Sequence, residues 1–174
     1  TTPLSSSGTR MGRRVAILSR PELHPTMPEA ADTDNTAEYL RASGRWVEAA
    51  IDIGEGCRLV VASLYGVAGA SSCSAKQNTT QRLHAAAFSR AHAFGATPYI
   101  CGADSNILPE ALPAVVQARA RDMMYELLAD AYSGGEIPCT FSPSALYPGM
   151  AGEGVTRIDA LYVHRPAAKI GRAH

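Results

Sequence analysis

A carboxylate and an amide two residues apart, Asp104 and Asn106, carry the strongest chemical signal in the chain. They follow a short apolar run at 98–101, read as a buried strand that leads into Gly102-Ala103-Asp104-Ser105-Asn106. That places them just past the carboxyl end of a strand, where an open α/β sheet has its ligand crevice. In extended backbone both side chains point the same way, and Gly102 is read as allowing close backbone approach. Hard oxygens in this pattern ligate Mg²⁺ or orient a water. An ordinary Asx turn after a strand gives the same spacing.

Asp159 lies in Ile158-Asp159-Ala160-Leu161-Tyr162-Val163, on one face with Leu161 and Val163. A carboxylate among apolar neighbours loses solvation and needs a partner, such as Arg157, a His or a metal. An edge strand with Asp159 in water is the other reading. Tyr65 ends an apolar run before Gly66, so its hydroxyl reaches either a site at the sheet rim or a core partner. Arg82, off the apolar stripe of a helix, is a candidate phosphate contact or a solvated side chain. Thr140-Phe141 reads as a loop anchoring its Phe. His84 and His92 stand roughly 80° apart around a helix, which argues against a metal pair. No GxGxxG, GxxxxGK(S/T) or GxSxG pattern occurs.

The elements that must position these residues follow from hydrophobic period. Residues 14–19 (RVAILS) read as a short buried strand and 20–45, with three prolines, as an irregular excursion. Over 46–53 the chain alternates, with Val47, Ala49, Ile51 and Ile53 on one face and Glu48 and Asp52 on the other. Gly54-Glu55-Gly56 turns it, and 58–65 returns as a more fully buried strand, so a hairpin is expected. A helix is expected over 81–94, stopped by Gly95, with Leu83, Ala87, Ala91 and Phe94 inward and Ala85, Ser89 and His92 outward. Pro113 opens a second helix, with Val116, Ala120, Met123, Leu127 and Ala131 as its stripe, running to Gly134-Gly135. Residues 136–155 read as a loop and 158–164 as a last strand. Mixed strands and helices with one hairpin predict an α/β fold, a layered sandwich of mixed sheets flanked by helices.

Composition bounds the function. The 174 residues are 46% hydrophobic and 18% charged with zero net charge, which excludes a wholly disordered chain and a generic basic nucleic-acid coat. No apolar run approaches the roughly 20 residues of a membrane span. Of the 16 basic residues 14 are Arg, which forks onto phosphate oxygens but is also what a GC-rich genome yields. The four cysteines, without a CxxC, read as reduced and mostly buried thiols of an intracellular protein.

Taken in order, these segments resemble the endonuclease/exonuclease/phosphatase family with its DNase-I-like fold. Arg14 to Arg20 is similar to the family's "GvAIlsr" strand, and Ser63-Leu64-Tyr65-Gly66 to its "N-x-Y" strand end. Ile100 to Asn106 is similar to the "GDFN" strand end, with one residue inserted after the Gly. Thr140-Phe141, then Thr156-Arg157-Ile158-Asp159, resembles the "TF…SRIDYI" ending. The likeness covers 14–164, between a flexible segment at 1–13 and a tail at 165–174. It is nearest to LINE-type retroelement endonuclease domains and apurinic endonucleases.

The resemblance implies Mg²⁺-dependent (or Mn²⁺-dependent) phosphodiester hydrolysis with DNA as substrate, by a monomer, nuclear if from a retroelement. Asp104 would orient or deprotonate the attacking water and, with Asn106, hold the metal. Asn106 and Arg82 would contact the phosphate, Tyr65 would bond it as charge builds, and Asp159 would orient a catalytic His. The family's early Asn and metal-binding Glu and its closing Ser-Asp-His have no counterpart here. His174, in Arg-Ala-His, does not take that role. The expectation is an incomplete, nearly inert copy that folds marginally. A non-catalytic pseudo-nuclease module, or a phosphatase acting on small phosphate esters such as inositol phosphates or lipid head groups, are the alternatives.

Overall fold

In the computed structural model, which describes residues 4–5, 15–28, 35–131, 140 and 157–164, eleven strands and α-helices follow one another. They are β1 (Leu4–Ser5), β2 (Ala16–Ile17), α1 (Thr36–Ala42), β3 (Trp46–Gly54), β4 (Cys57–Tyr65) and α2 (Ser74–Ala93). Then come β5 (Tyr99–Asp104), α3 (Pro113–Ala120), β6 (Met124–Glu126), α4 (Leu127–Ala131) and β7 (Asp159–His164). The expectations for Phe141, Cys139, Thr156, the 136–155 loop, the 165–174 tail and most of 1–13 lie outside the described residues.

Five strands form one mixed sheet in the order β3-β4-β5-β7-β6, parallel only between β4 and β5. The β3–β4 hairpin turns through Glu55 and Gly56, both in the left-handed region (φ 54° and 73°), as a two-residue turn matching the strand twist requires. The helix α2 crosses over to place β5 parallel to β4. One core cluster joins Leu40 of α1, Leu83, Ala87 and Phe88 of α2, and Val115 of α3 to Trp46, Val60, Leu64, Tyr99 and Tyr162 of the sheet. The three helices therefore cover one face of the sheet. The β1–β2 ribbon rests on β3 and β4. This is the mixed α/β layering that the pattern predicts, with the second sheet reduced to that ribbon among the described residues.

Several elements differ from their local pattern. The strand expected at 14–19 is only Ala16–Ile17, and Leu18 is 75% exposed; among the described residues β2 pairs with just the two residues of β1. Within 20–45, read from sequence as irregular, Thr36–Ala42 is a helix that buries Ala37 and Leu40. In β3 the face assigned to solvent points into the helix layer: Glu48 is fully buried, and Arg90 of α2 bonds it through Nη2 (2.7 Å) and Nε (3.1 Å). Val47 and Ala49 are buried as well, so the first half of β3 is covered on both faces. Only one face of β4 is fully buried, Val60, Ala62 and Leu64.

Helix α2 starts seven residues before Gln81, since its first two turns bury only Thr80 and present no apolar stripe to read. Helix α3 stops at Ala120, because Asp122 adopts φ 56° and breaks it. Leu112, Ala114, Val115 and Ala118 are buried, while Val116 and Leu127 of the expected stripe are exposed. Residues 124–126 become a strand because β7 offers them an edge. Of the described cysteines Cys57 is exposed, Cys73 partly so, and Cys101 buried, its thiol pushed up to about 12 by burial and then by Glu48. Among the described residues no helix is long and apolar enough to cross a membrane.

Candidate active site

Register brings the distant candidates together. Tyr65 at the end of β4 pairs with Asp104 at the end of β5, and Asp104 pairs with Asp159 at the start of β7. Side chains at paired positions share a face, and here it is the face opposite the helices. A cavity of about 360 Å³ opens there, lined by Val15, Ser63, Tyr65, Gly102, Asp104 and Asp159.

The strand-end turn is an Asx turn and a site rim at once. Asp104 Oδ1 accepts the Asn106 backbone N–H at 3.0 Å, and Asn106 takes φ 52°. The Asn106 Nδ2 donates to the Gly66 carbonyl at 3.4 Å, and that acceptor-only partner fixes which amide atom is nitrogen. Burial raises the Asp104 carboxyl above its ordinary range; the Asn106 N–H opposes this and the Asp159 charge adds to it. A desolvated carboxylate beside a second one is suited to take a proton or to hold a cation. Among the described residues no Lys or Arg forms an ion pair with either carboxylate.

That chemistry fits a hard divalent cation: two carboxylates and an amide oxygen are its usual donors, and a cation would offset the Asp104–Asp159 repulsion. The donor set is small, since no group of three His, Cys, Asp or Glu is gathered among the described residues.

Asp159 opens β7 rather than sitting within it. Leu161 on its face is 38% exposed, while Ala160 and Tyr162 enter the core. Arg157 is not its partner; that guanidinium is buried against Glu126 (3.0 Å) and Glu110. The Thr140 hydroxyl instead accepts the backbone N–H groups of Ile158 (3.1 Å) and Asp159 (3.0 Å), fixing where the strand begins. Arg82 is not brought to this rim. It is exposed on α2, its guanidinium 5.5 Å from the Tyr39 ring, in a separate cavity with Asn35 and Thr36.

Two supports were invisible in the sequence pattern. Helix α2 holds both loops of the rim from behind through buried side chains one turn apart. Thr80 Oγ1 accepts the Val67 N–H at 2.9 Å, and His84 Nε2 meets the Ser105 hydroxyl at 3.0 Å. His84 Nδ1 lies 2.9 Å from the Thr80 carbonyl and must donate to it, so Nε2 accepts from Ser105. Burial lowers the His84 ring from 6.5 to about 4, so it is neutral at pH 7.

The unfolded chain then binds more protons than the folded one between pH 6.5 and 4. Stability from His84 is full above about 6.5 and lost as pH falls towards 4. About 2 kcal/mol should disappear between pH 7 and 5, read by urea unfolding at both values. His164 is lowered too, by burial and then by His92, so the His84 share is the slope lost in His84→Gln. An unchanged slope in that variant would remove His84 as its origin.

The glycine that requires close approach is Gly66, not Gly102. A Cβ at Gly66 would lie 2.3 Å from the Ser105 carbonyl oxygen, whereas one at Gly102 would meet nothing within 4 Å. The Gly66 N–H also donates to the Asp104 carbonyl at 2.6 Å. Gly66→Ala should therefore push the two loops apart and cost about 1–3 kcal/mol in chemical denaturation. Gly102→Ala should be near neutral; equal effects at the two positions would contradict this packing.

No family model and no curated protein matches the chain. Among solved structures, the 3′-5′ exonuclease (NExo) from Neisseria meningitidis superposes with a TM-score of 0.57 at 20% identity, over 94% of this chain and 66% of that one. The human Nocturnin catalytic domain with bound sulfate anion gives 0.47 at 10% identity, covering 69% and 41%. Truncated Caenorhabditis elegans TDP2 gives 0.47 at 13%, covering 67% and 44%. The chain spans less than two thirds of the length of each. The likeness to the Neisseria protein shows the fold: a mixed five-stranded sheet flanked by helices, of DNase-I-like type.

Proposed function

We propose that the rim formed by Tyr65, Asp104, Asn106 and Asp159 belongs to a divalent-cation-dependent phosphodiesterase acting on DNA. The observation that carries this reading is the register of three adjacent strands, which gathers residues 65, 104 and 159 around one cavity. The protein from Neisseria that shares the fold is a 3′-5′ exonuclease, and the sequence resembles retroelement and apurinic endonucleases.

Asp104 orients the attacking water or takes its proton as general base. Asn106, turned into place by its left-handed backbone and the Gly66 carbonyl, presents its amide oxygen to that water or to the cation. The Tyr65 hydroxyl donates to a phosphoryl oxygen as its charge grows. Asp159, at the lip of β7, holds and orients the group that serves the leaving oxygen. Asp104 and Asn106, with Asp159 near, would hold Mg²⁺ or Mn²⁺, which would supply charge neutralisation at the phosphate.

Plasmid nicking with Mg²⁺ and then Mn²⁺, on the longest chain the gene encodes, tests the reading against Asp104→Ala. Nicking that Asp104→Ala abolishes supports it. A folded, inactive protein would overturn it in favour of a non-catalytic phosphate-binding module or a phosphatase for small phosphate esters, with inositol phosphates assayed next.

A further inference from the structure

Among the described residues a cation stands at this rim: Arg45, immediately before β3, which belongs to no motif of the sequence. Its backbone carbonyl accepts the Tyr65 N–H at 2.8 Å. Its side chain returns to the same place: Nη1 donates to the Gly66 carbonyl at 2.7 Å, with the Tyr65 carbonyl at 3.5 Å. The guanidinium carbon lies 5.5 Å from the centroid of the Tyr65 ring, within reach of a cation–π contact. The Gly66 carbonyl is also the oxygen that Asn106 Nδ2 approaches at 3.4 Å.

One carbonyl oxygen thus receives a charged donor from Arg45 and the amide of Asn106, while the ring of Tyr65 lies against the same guanidinium. A charge-assisted bond is shorter and stronger than a neutral one, and Arg keeps its charge at every working pH. The fixed charge orients the Gly66 peptide, and that peptide orients Asn106.

We propose that Arg45 is a positioning residue that sets Tyr65 and Asn106 together, through the Gly66 carbonyl and the face of the Tyr65 ring. What those two residues then do rests on the phosphodiesterase reading; their placement by Arg45 does not. A guanidinium that only closes off a loop carbonyl would leave the ring and the amide where they are. The division of labour within Arg45 makes the two roles separable. A lysine ammonium can still donate to the Gly66 carbonyl but lacks the planar group that lies on the ring.

The test compares wild type, Arg45→Met and Arg45→Lys in the full chain by NMR. The ring signals of Tyr65 are assigned with Tyr65→Phe, and the side-chain amide of Asn106 with Asn106→Asp. Arg45→Met should shift both sets of signals; Arg45→Lys should restore the Asn106 amide but leave the Tyr65 ring displaced. Unchanged Tyr65 and Asn106 signals in Arg45→Met would overturn the proposal, as would their full restoration in Arg45→Lys. If Arg45→Met does not fold, Arg45→Lys alone decides, since a displaced ring beside a native Asn106 amide is the signature expected.

Turnover of bis(4-nitrophenyl) phosphate with Mn²⁺ reads the consequence. A displacement of about 1 Å at such groups costs on the order of a hundredfold. That loss should fall on kcat rather than KM, because Tyr65 bonds the phosphoryl oxygen as charge grows in the transition state. A wild type without turnover counts against the phosphodiesterase reading, while the NMR comparison still decides the role of Arg45.

Discussion

On the proposed phosphodiesterase reading, Asp104→Asn is expected to lower phosphodiester hydrolysis by about 10²–10³-fold while leaving the protein at least as stable as wild type. The loss follows from its place at the centre of the three-strand register, lining a cavity together with Tyr65 and Asp159. An amide cannot take the water's proton and is a poorer cation ligand than a carboxylate. The stability follows from what the carboxylate costs the fold: it is partly desolvated and faces the Asp159 charge. An amide oxygen still accepts the Asn106 N–H, so the turn itself survives.

Kinetics and thermal unfolding at pH 7 on the same samples separate the two effects. A melting temperature that falls by several degrees with the activity would make Asp104 a structural residue and sink its assigned role. Added Mn²⁺ should raise the melting temperature of the wild type and not of Asp104→Asn, since only a ligand bound to the folded state stabilises it.

The largest loss of stability is expected on the opposite face of the sheet, from Arg90→Met. Arg90 and Glu48 are 2% and 0% exposed, and their ion pair crosses from α2 to β3. Removing the guanidinium leaves a buried carboxylate without its countercharge, which costs about 3–5 kcal/mol. The pair itself need not be net stabilising, because two charges have been taken from water and Arg90 Nη1 has no hydrogen-bond partner among the described residues. Glu48→Leu combined with Arg90→Met should therefore recover most of the loss. Urea denaturation of the two single variants and the double gives the coupling directly. A loss below about 1 kcal/mol in Arg90→Met, or a double variant as unstable as the single, would refute the account.

Most of the sheet's strands and the covering helix were legible because they obey a local rule. Alternation marks β3, an apolar run marks β4, Glu55-Gly56 supplies the positive φ their turn needs, and Leu83, Ala87 and Ala91 lie on the buried stripe of α2. The apolar run before Asp104 and the one after Arg157 became the adjacent strands β5 and β7. Asp104 and Asn106 could be singled out from type and spacing, and the Asx turn offered as their plain explanation is also present.

What escaped was every feature that depends on a partner far along the chain. Glu48 reads as a solvent-facing residue until Arg90, 42 positions later, meets it in the core. Residues 124–126 continue a helical stripe in sequence and become a strand only because β7 has an edge for them. The need for glycine falls on Gly66 because the Ser105 carbonyl packs against it, and Arg82 turns to Tyr39 while Arg45 takes the rim. The sequence by itself determined the period of each element and the chemical types at the strand ends. Tertiary packing alone decided which ends meet, because register across three strands, not spacing along one, sets the distance between Tyr65, Asp104 and Asp159.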